Sequence, residues 1–286
     1  RESKEEKRVT YLELQQGRRI MASTKNSLDE EKIFVETFNK DKDFRATINS
    51  LLGNNFVNCE KVPNSFPTSG WVEYYGKERS SPAKSDFAFT DSKGNVKVGA
   101  SFKNVNGRAT SSKFEETRSI FYSTLNGHSE YANNNSLRNA IDNLFDTWEP
   151  KSQVLTTPVD VTTNAQKSGN CQHEQLQDYI DMTDVLTSMV KDAHDKYPDF
   201  MVDVMKECLV GQHKFGDTIQ KADIYIQKNR EGQYETVPTS SPDFTEIVDS
   251  YLRTSKGESK LNIRMKSSSK KANGKKVGRN HWIRFL

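Results

Sequence analysis

In the stretch "SDFAFTDSKGNVKVGASFKN", residues 85–104, an aspartate, a tight turn and a returning lysine follow an order that suits phosphate chemistry. Metal-assisted phosphodiester hydrolysis needs several oxygen ligands around a hard cation and a basic group beside the attacking water. Asp86 offers the carboxylate and Lys103 the ammonium. Two positions before the lysine, where a second carboxylate would complete the set, stands Ser101. The stretch is then a ruined site, a coincidence, or a site that takes its second acid from another segment on the same face. Twelve residues intervene between Lys103 and Glu116, the next candidate.

The surrounding sequence dictates what must position these groups. "DFAF" and "VKVGASFK" read as strands and "DSKGN" as a turn, so a hairpin is expected. With Lys93 and Gly94 as a two-residue loop, Asp86 lies opposite Ser101 and Lys103 falls on the same face two residues on. Phe87, Phe89, Val98, Ala100 and Phe102 fill the other face. A one-residue slip would undo this pairing. Next, Ser112 and Glu115 form a capping box, and Phe114, Phe121 and Leu125 share a helical face. Glu115 then serves the cap and Glu116, in the first turn, is the ligand candidate. A helix start one residue later exchanges the two.

Elsewhere, S27-L-D-E30 opens a helix, and Ile33, Phe34, Phe38, Phe44, Ile48, Leu51 and Leu52 supply apolar faces on two helices broken around "NKDKD". Residues 53–70 read as loop and "GWVEYYG" as a strand carrying Glu73. Residues 130–148 continue as helix, and a helical pair broken at Pro198 follows a polar loop. "KADIYIQKN", "LNIRMKSS" and "HWIRFL" are strand-like, with a basic hairpin loop between the last two.

Asp86, then Ser101-Phe102-Lys103, then Glu116, resembles the motif of the PD-(D/E)XK nucleases. More narrowly, it is similar to the variant in certain tetrameric type II restriction endonucleases, where Ser or Ala replaces the strand acid and a glutamate on the following helix takes over. The resemblance covers about residues 70–125. It implies a restriction-endonuclease-like α/β fold, a mixed sheet flanked by helices with a helical insertion. It also implies a metal-dependent DNA endonuclease using Mg²⁺, with Mn²⁺ able to substitute. Asp86 and Glu116 would be metal ligands, the Phe102 backbone carbonyl a further one, and Lys103 the water-activating group. Ser101 would occupy the vacated position, and Glu73 would be the supporting upstream acid. The Asp86–Ser101 gap is shorter than in those restriction enzymes, and Pro82 stands four residues before the aspartate instead of next to it. "SFK" and "GQHKFG" also make the chain similar to phage-encoded proteins, which implies a bacterial host cytoplasm.

Charge separates along the chain. Residues 252–286 carry eleven Lys or Arg and one acid, Glu258, a net +10 within a chain of net +3. A basic end of this kind is the footprint of a phosphate-backbone binder or a solvated tail. Lys266, Lys270, Lys271, Lys275, Lys276 and Arg279, with Arg108 and Lys113 nearer the hairpin, are the candidate DNA contacts. No apolar run spans a bilayer, and residues 1–21 lack a signal core, so neither a membrane partner nor secretion is expected. Three scattered cysteines fit neither a disulfide framework nor a zinc site. "GQHKFG" lacks the phosphate-loop pattern, and Asp223 with Lys266 lacks any companion acid. The expected parts are a charged helix or arm at 1–26, a first nuclease segment at 27–125, a helical insertion at 126–220, and C-terminal strands with the basic hairpin at 221–286, completing the same sheet. Homo-oligomerisation stays open at this point. So does a catalytically inactive DNA-binding or phage structural protein on the same fold.

Overall fold

The computed structural model describes residues 27–62, 66–67, 80–81, 83–94, 97–104, 111–148, 174–216, 219–229, 231–267, 271–272, 275–276 and 279–284. Two compact units emerge, one of residues 1–108 with 209–247, the other of 109–208 with 248–286. In chain order the elements are α1 (Ser27–Lys40), α2 (Lys42–Leu52), β1 (Phe56–Lys61), β2 (Phe66–Pro67), β3 (Ser80–Ser81), β4 (Phe87–Asp91), β5 (Lys97–Asn104) and β6 (Ser111–Lys113). Then come α3 (Phe114–Gly127), α4 (Ser129–Ala132), α5 (Asn135–Trp148), α6 (Glu174–Lys196), α7 (Pro198–Val210) and α8 (Gln212–Phe215). The chain ends with β7 (Ile224–Lys228), β8 (Tyr234–Pro238), α9 (Pro242–Leu252), β9 (Asn262–Ser267), β10 (Lys271–Ala272), β11 (Lys275–Lys276) and β12 (Arg279–Arg284).

The first unit is an α/β layer built on a mixed, open, five-stranded sheet in the order β1-β4-β5-β7-β8. All neighbours are antiparallel except β5 and β7, which run parallel. Parallel neighbours need a long crossover, and here the chain between them contributes residues 109–208 to the second unit. Phe34 and Phe38 of α1 and Phe44 and Ile48 of α2 bury against Phe56, Phe87, Phe89, Ala100, Phe102, Ile224 and Ile226 on one sheet face. Phe34 stacks on Phe87 at 4.8 Å and meets Phe44 edge-on at 5.5 Å. The two helices separate at Asp41, which caps α2 by accepting from the Asp43 and Phe44 amides. The opposite face holds Tyr225, whose ring lies 5.5 Å from Phe244 of α9.

Two expectations are corrected in this unit. Ile33 is largely exposed, because it falls off the Phe34–Phe38 stripe. Residues 56–61 are not loop but the edge strand β1. Its backbone is satisfied from the side by helix side chains. Asn39 donates to the Cys59 carbonyl and accepts from the Cys59 amide, and Asn49 does the same at Phe56. Arg45 donates to the Val57 carbonyl. Edge strands template aggregation unless covered, and this one is covered.

The second unit joins helices to a three-stranded antiparallel sheet, β6-β12-β9. The C-terminal strands therefore build their own sheet instead of completing the first; of the expected strands after residue 221, only "KADIYIQKN" enters the five-stranded one. Leu186 and Val190 of α6 are buried, as are Ile263 of β9 and Ile283 of β12, and Thr187 accepts the Ile263 amide at 3.0 Å. Pro198 starts α7 where a missing amide costs nothing. The helix expected over 130–148 divides at Asn133 and Asn134 into α4 and α5. Ser112 is a strand residue paired with Ile283, so Lys113, not Ser112, precedes α3. Among the described residues, no helix is long and apolar enough to cross a membrane.

Candidate functional site

The hairpin forms in the expected register. Phe87 pairs with Ala100 and Phe89 with Val98; just ahead of the strand the Asp86 amide donates to the Ala100 carbonyl, and its carboxylate lies beside the Ser101 hydroxyl. The alternation buries Phe87, Phe89, Ala100 and Phe102 on one face and leaves Asp86, Ser101 and Lys103 on the other. Asp91 accepts the Lys93 amide and Gly94 takes a left-handed φ of 70°, which is what the tight turn demands of its sequence.

Three contacts converge on one oxygen of Asp86. Oδ2 accepts the Phe102 amide at 2.6 Å and the Ser101 hydroxyl at 3.4 Å, and it lies 3.5 Å from Lys103 Nζ. Ser101 is buried, whereas the Asp86 and Lys103 side chains keep 24% and 37% exposure, so a ligand can reach them. An ion pair this open contributes little to stability, roughly 1 kcal/mol at most. The amide and carbonyl of a strand residue leave on the same edge, so the Phe102 carbonyl is directed to the Asp86 side as well.

A second strand of chain clamps the approach to the aspartate. Gln220 O accepts the amides of Lys84 and Ser85, the Ser85 hydroxyl donates to Ile219 O, and the Asp223 amide donates to Gly99 O. The segment passes so close that a Cβ on Gly99 would lie 2.0 Å from Lys221 O. Only glycine fits there. Lys221 and Asp223 form their own ion pair at 2.9 Å.

The structure thus brings together Asp86, Ser101, Phe102 and Lys103. Glu115 and Glu116 occupy the first turn of α3 in the second unit, and with Lys113 ahead of the helix Glu116 stands at its third position. Their side chains lie outside the described residues, as do Glu73, Arg108 and Lys270 altogether. Lys113 ends β6, Lys266 lies in β9, Lys271 in β10, Lys275 and Lys276 in β11, and Arg279 opens β12. The basic loop is a small hairpin, β10 against β11, between β9 and β12. Cys171 and His173 fall outside the described residues, and burial pushes the Cys59 thiol far above its usual range, so that thiol is inert.

One group was not foreseen from sequence. Ligand atoms of His128, Glu130 and Asp203 all lie within 4.8 Å of one another in the second unit. Both oxygens of Asp203 are engaged, Oδ2 by the Tyr131 hydroxyl at 2.7 Å and Oδ1 by Lys206 Nζ at 3.6 Å. Burial, then the bond to Asp203, raises the Tyr131 phenol well above its ordinary value and keeps it a donor.

No protein-family model matches the chain, and no curated protein or solved structure is significantly similar to it.

Proposed function

We propose that this chain is a metal-dependent DNA endonuclease of the restriction-endonuclease-like kind, encoded by a phage or mobile element and working in bacterial cytoplasm. The observation that carries the reading is the meeting of Asp86, Ser101, Phe102 and Lys103 on one face of a hairpin in the register the motif requires. A mixed sheet with a parallel strand beside the lysine-bearing strand is consistent with that frame.

The donor set is all oxygen, which suits Mg²⁺ and accommodates Mn²⁺. Asp86 and the Phe102 carbonyl would hold the ion, with Glu116 as the displaced second acid. The bound ion supplies neutralisation of the charge that develops on the phosphate. Lys103 would donate a hydrogen bond to the attacking water and stabilise the hydroxide formed as the water gives its proton to solvent, while Ser101 and the Phe102 amide fix the Asp86 carboxylate in one orientation.

A second reading, a non-catalytic DNA-binding or phage structural protein, draws support from the same contacts. With Ser101 in place of an acid, Asp86 Oδ2 is already satisfied by an amide, a hydroxyl and an ammonium. Supercoiled plasmid at low salt, with Mg²⁺, Mn²⁺ or EDTA, decides between them. Metal-dependent nicking that disappears in Asp86→Asn, Lys103→Ala and Glu116→Ala, with far-UV CD unchanged, supports the nuclease. Binding without cleavage under every metal overturns it in favour of the second reading.

A further inference from the structure

The β6-β12-β9 sheet has two unlike faces. Ile263 and Ile283, directly paired, are 4% and 0% exposed and form the inner face beside α6. Strand alternation therefore puts their neighbours on the outer face. The register there is specific. Trp282 pairs with Arg264 on one side and Lys113 on the other, so a row Lys113–Trp282–Arg264 crosses the three strands. The next rows place Arg284 opposite Asn262 and Ser111, and Lys266 opposite Asn280. Arg264 is exposed. No acidic residue occupies any of these positions, and the β10–β11 hairpin adds Lys271, Lys275 and Lys276 between the same two strands.

We propose that this outer face binds single-stranded DNA, with the phosphates drawn to its cationic positions and a base stacked on Trp282. The proposal rests on the DNA-binding part of the reading above but not on catalysis. The argument for this occupant is charge complementarity within a segment of net +10, together with an aromatic residue in the middle of the cationic row. A cationic surface alone would suit any polyanion, and duplex DNA keeps its base faces stacked inside. An aromatic between cations adds a partner for an unpaired base, the combination that single-strand binders use.

The test is fluorescence anisotropy of labelled oligothymidine and of a blunt duplex of equal length, with the full chain in EDTA across a NaCl series. The single strand binds more tightly than the duplex, Trp282→Leu weakens it about ten-fold or more, and Trp282→Phe keeps most of the affinity. Arg264→Gln lowers the slope of log affinity against log salt by about 0.7, one phosphate contact's share. Equal or tighter binding of the duplex overturns the proposal, as does a folded Trp282→Leu protein that binds like the parent. Because no metal is present, a chain that fails to cleave DNA leaves this outcome untouched, and the converse holds too.

Discussion

Acid should destabilise the second unit through one side chain. His194, at the end of α6, is fully buried. Nδ1 lies 2.8 Å from the Ser259 hydroxyl, and Nε2 is buried with no hydrogen-bond partner. Burial, reinforced by Arg253, holds the imidazole below its ordinary value of 6.5, and Asp195 and Asp249 only partly oppose this. A proton added at Nε2 would have no acceptor. The unfolded chain takes up the proton first as pH falls, so the stabilisation is complete above about 6.5 and is lost on acidification below that value. One proton sets a slope of at most about 1.4 kcal/mol per pH unit, and between pH 7.5 and 5.5 the total loss has a ceiling of about 1.4 kcal/mol. Urea unfolding followed by circular dichroism reads this as a midpoint shift of up to roughly 0.5–1.4 M. Other groups titrate over the same range, so the decisive quantity is the difference between the parent and His194→Asn, which keeps a partner for Ser259 but cannot be charged. The parent loses more stability than the variant. Equal losses, or a larger loss in the variant, would refute the placement of a neutral imidazole in this core.

Three further changes test the first unit. Gly99→Ala drives a methyl into the Lys221 carbonyl and should cost about 1–3 kcal/mol, read from the urea midpoint, while displacing the segment that clamps Ser85. Phe34→Ala empties the centre of the aromatic cluster, where Phe34 is 1% exposed, and should cost about 3–5 kcal/mol in the same assay. Asn39→Leu strips the Cys59 amide and carbonyl of their partner, with a loss of about 1–3 kcal/mol and faster aggregation by light scattering as the β1 edge is uncovered.

Local sequence carried the hairpin because three signals agreed there. A glycine turn, an apolar alternation and a polar alternation all demanded the same register, and Phe87–Ala100 pairing follows it. The break at Asp41 and the start of α7 at Pro198 were legible for the same reason, since a cap and a proline act within a few residues. Strand β1 was not legible. "FVNCEK" has no strong alternation, and its edge is held by Asn39 and Asn49, side chains whose role appears only once α1 and α2 lie beside it. The separate β6-β12-β9 sheet escaped for a related reason, because strand partners are a tertiary choice that apolar patterning does not encode. The burial of His194 and the meeting of His128, Glu130 and Asp203 left no trace in residue spacing, since each depends on helices distant in sequence.

Ser101 bears directly on how the proposed site would work. A carboxylate at this position would stand beside Asp86 on the same face, where the serine hydroxyl now lies 3.4 Å from Oδ2. Two carboxylates that close raise each other's cost of ionisation unless a cation lies between them. With serine there, one aspartate faces one ammonium, Lys103 Nζ at 3.5 Å. On the proposed reading, the hairpin alone offers a divalent cation one negative charge instead of two and so attracts it less strongly. The proposed chemistry therefore calls for a carboxylate from outside the hairpin, and Glu116 is the acid that the chain places next in sequence after Lys103 apart from Glu115.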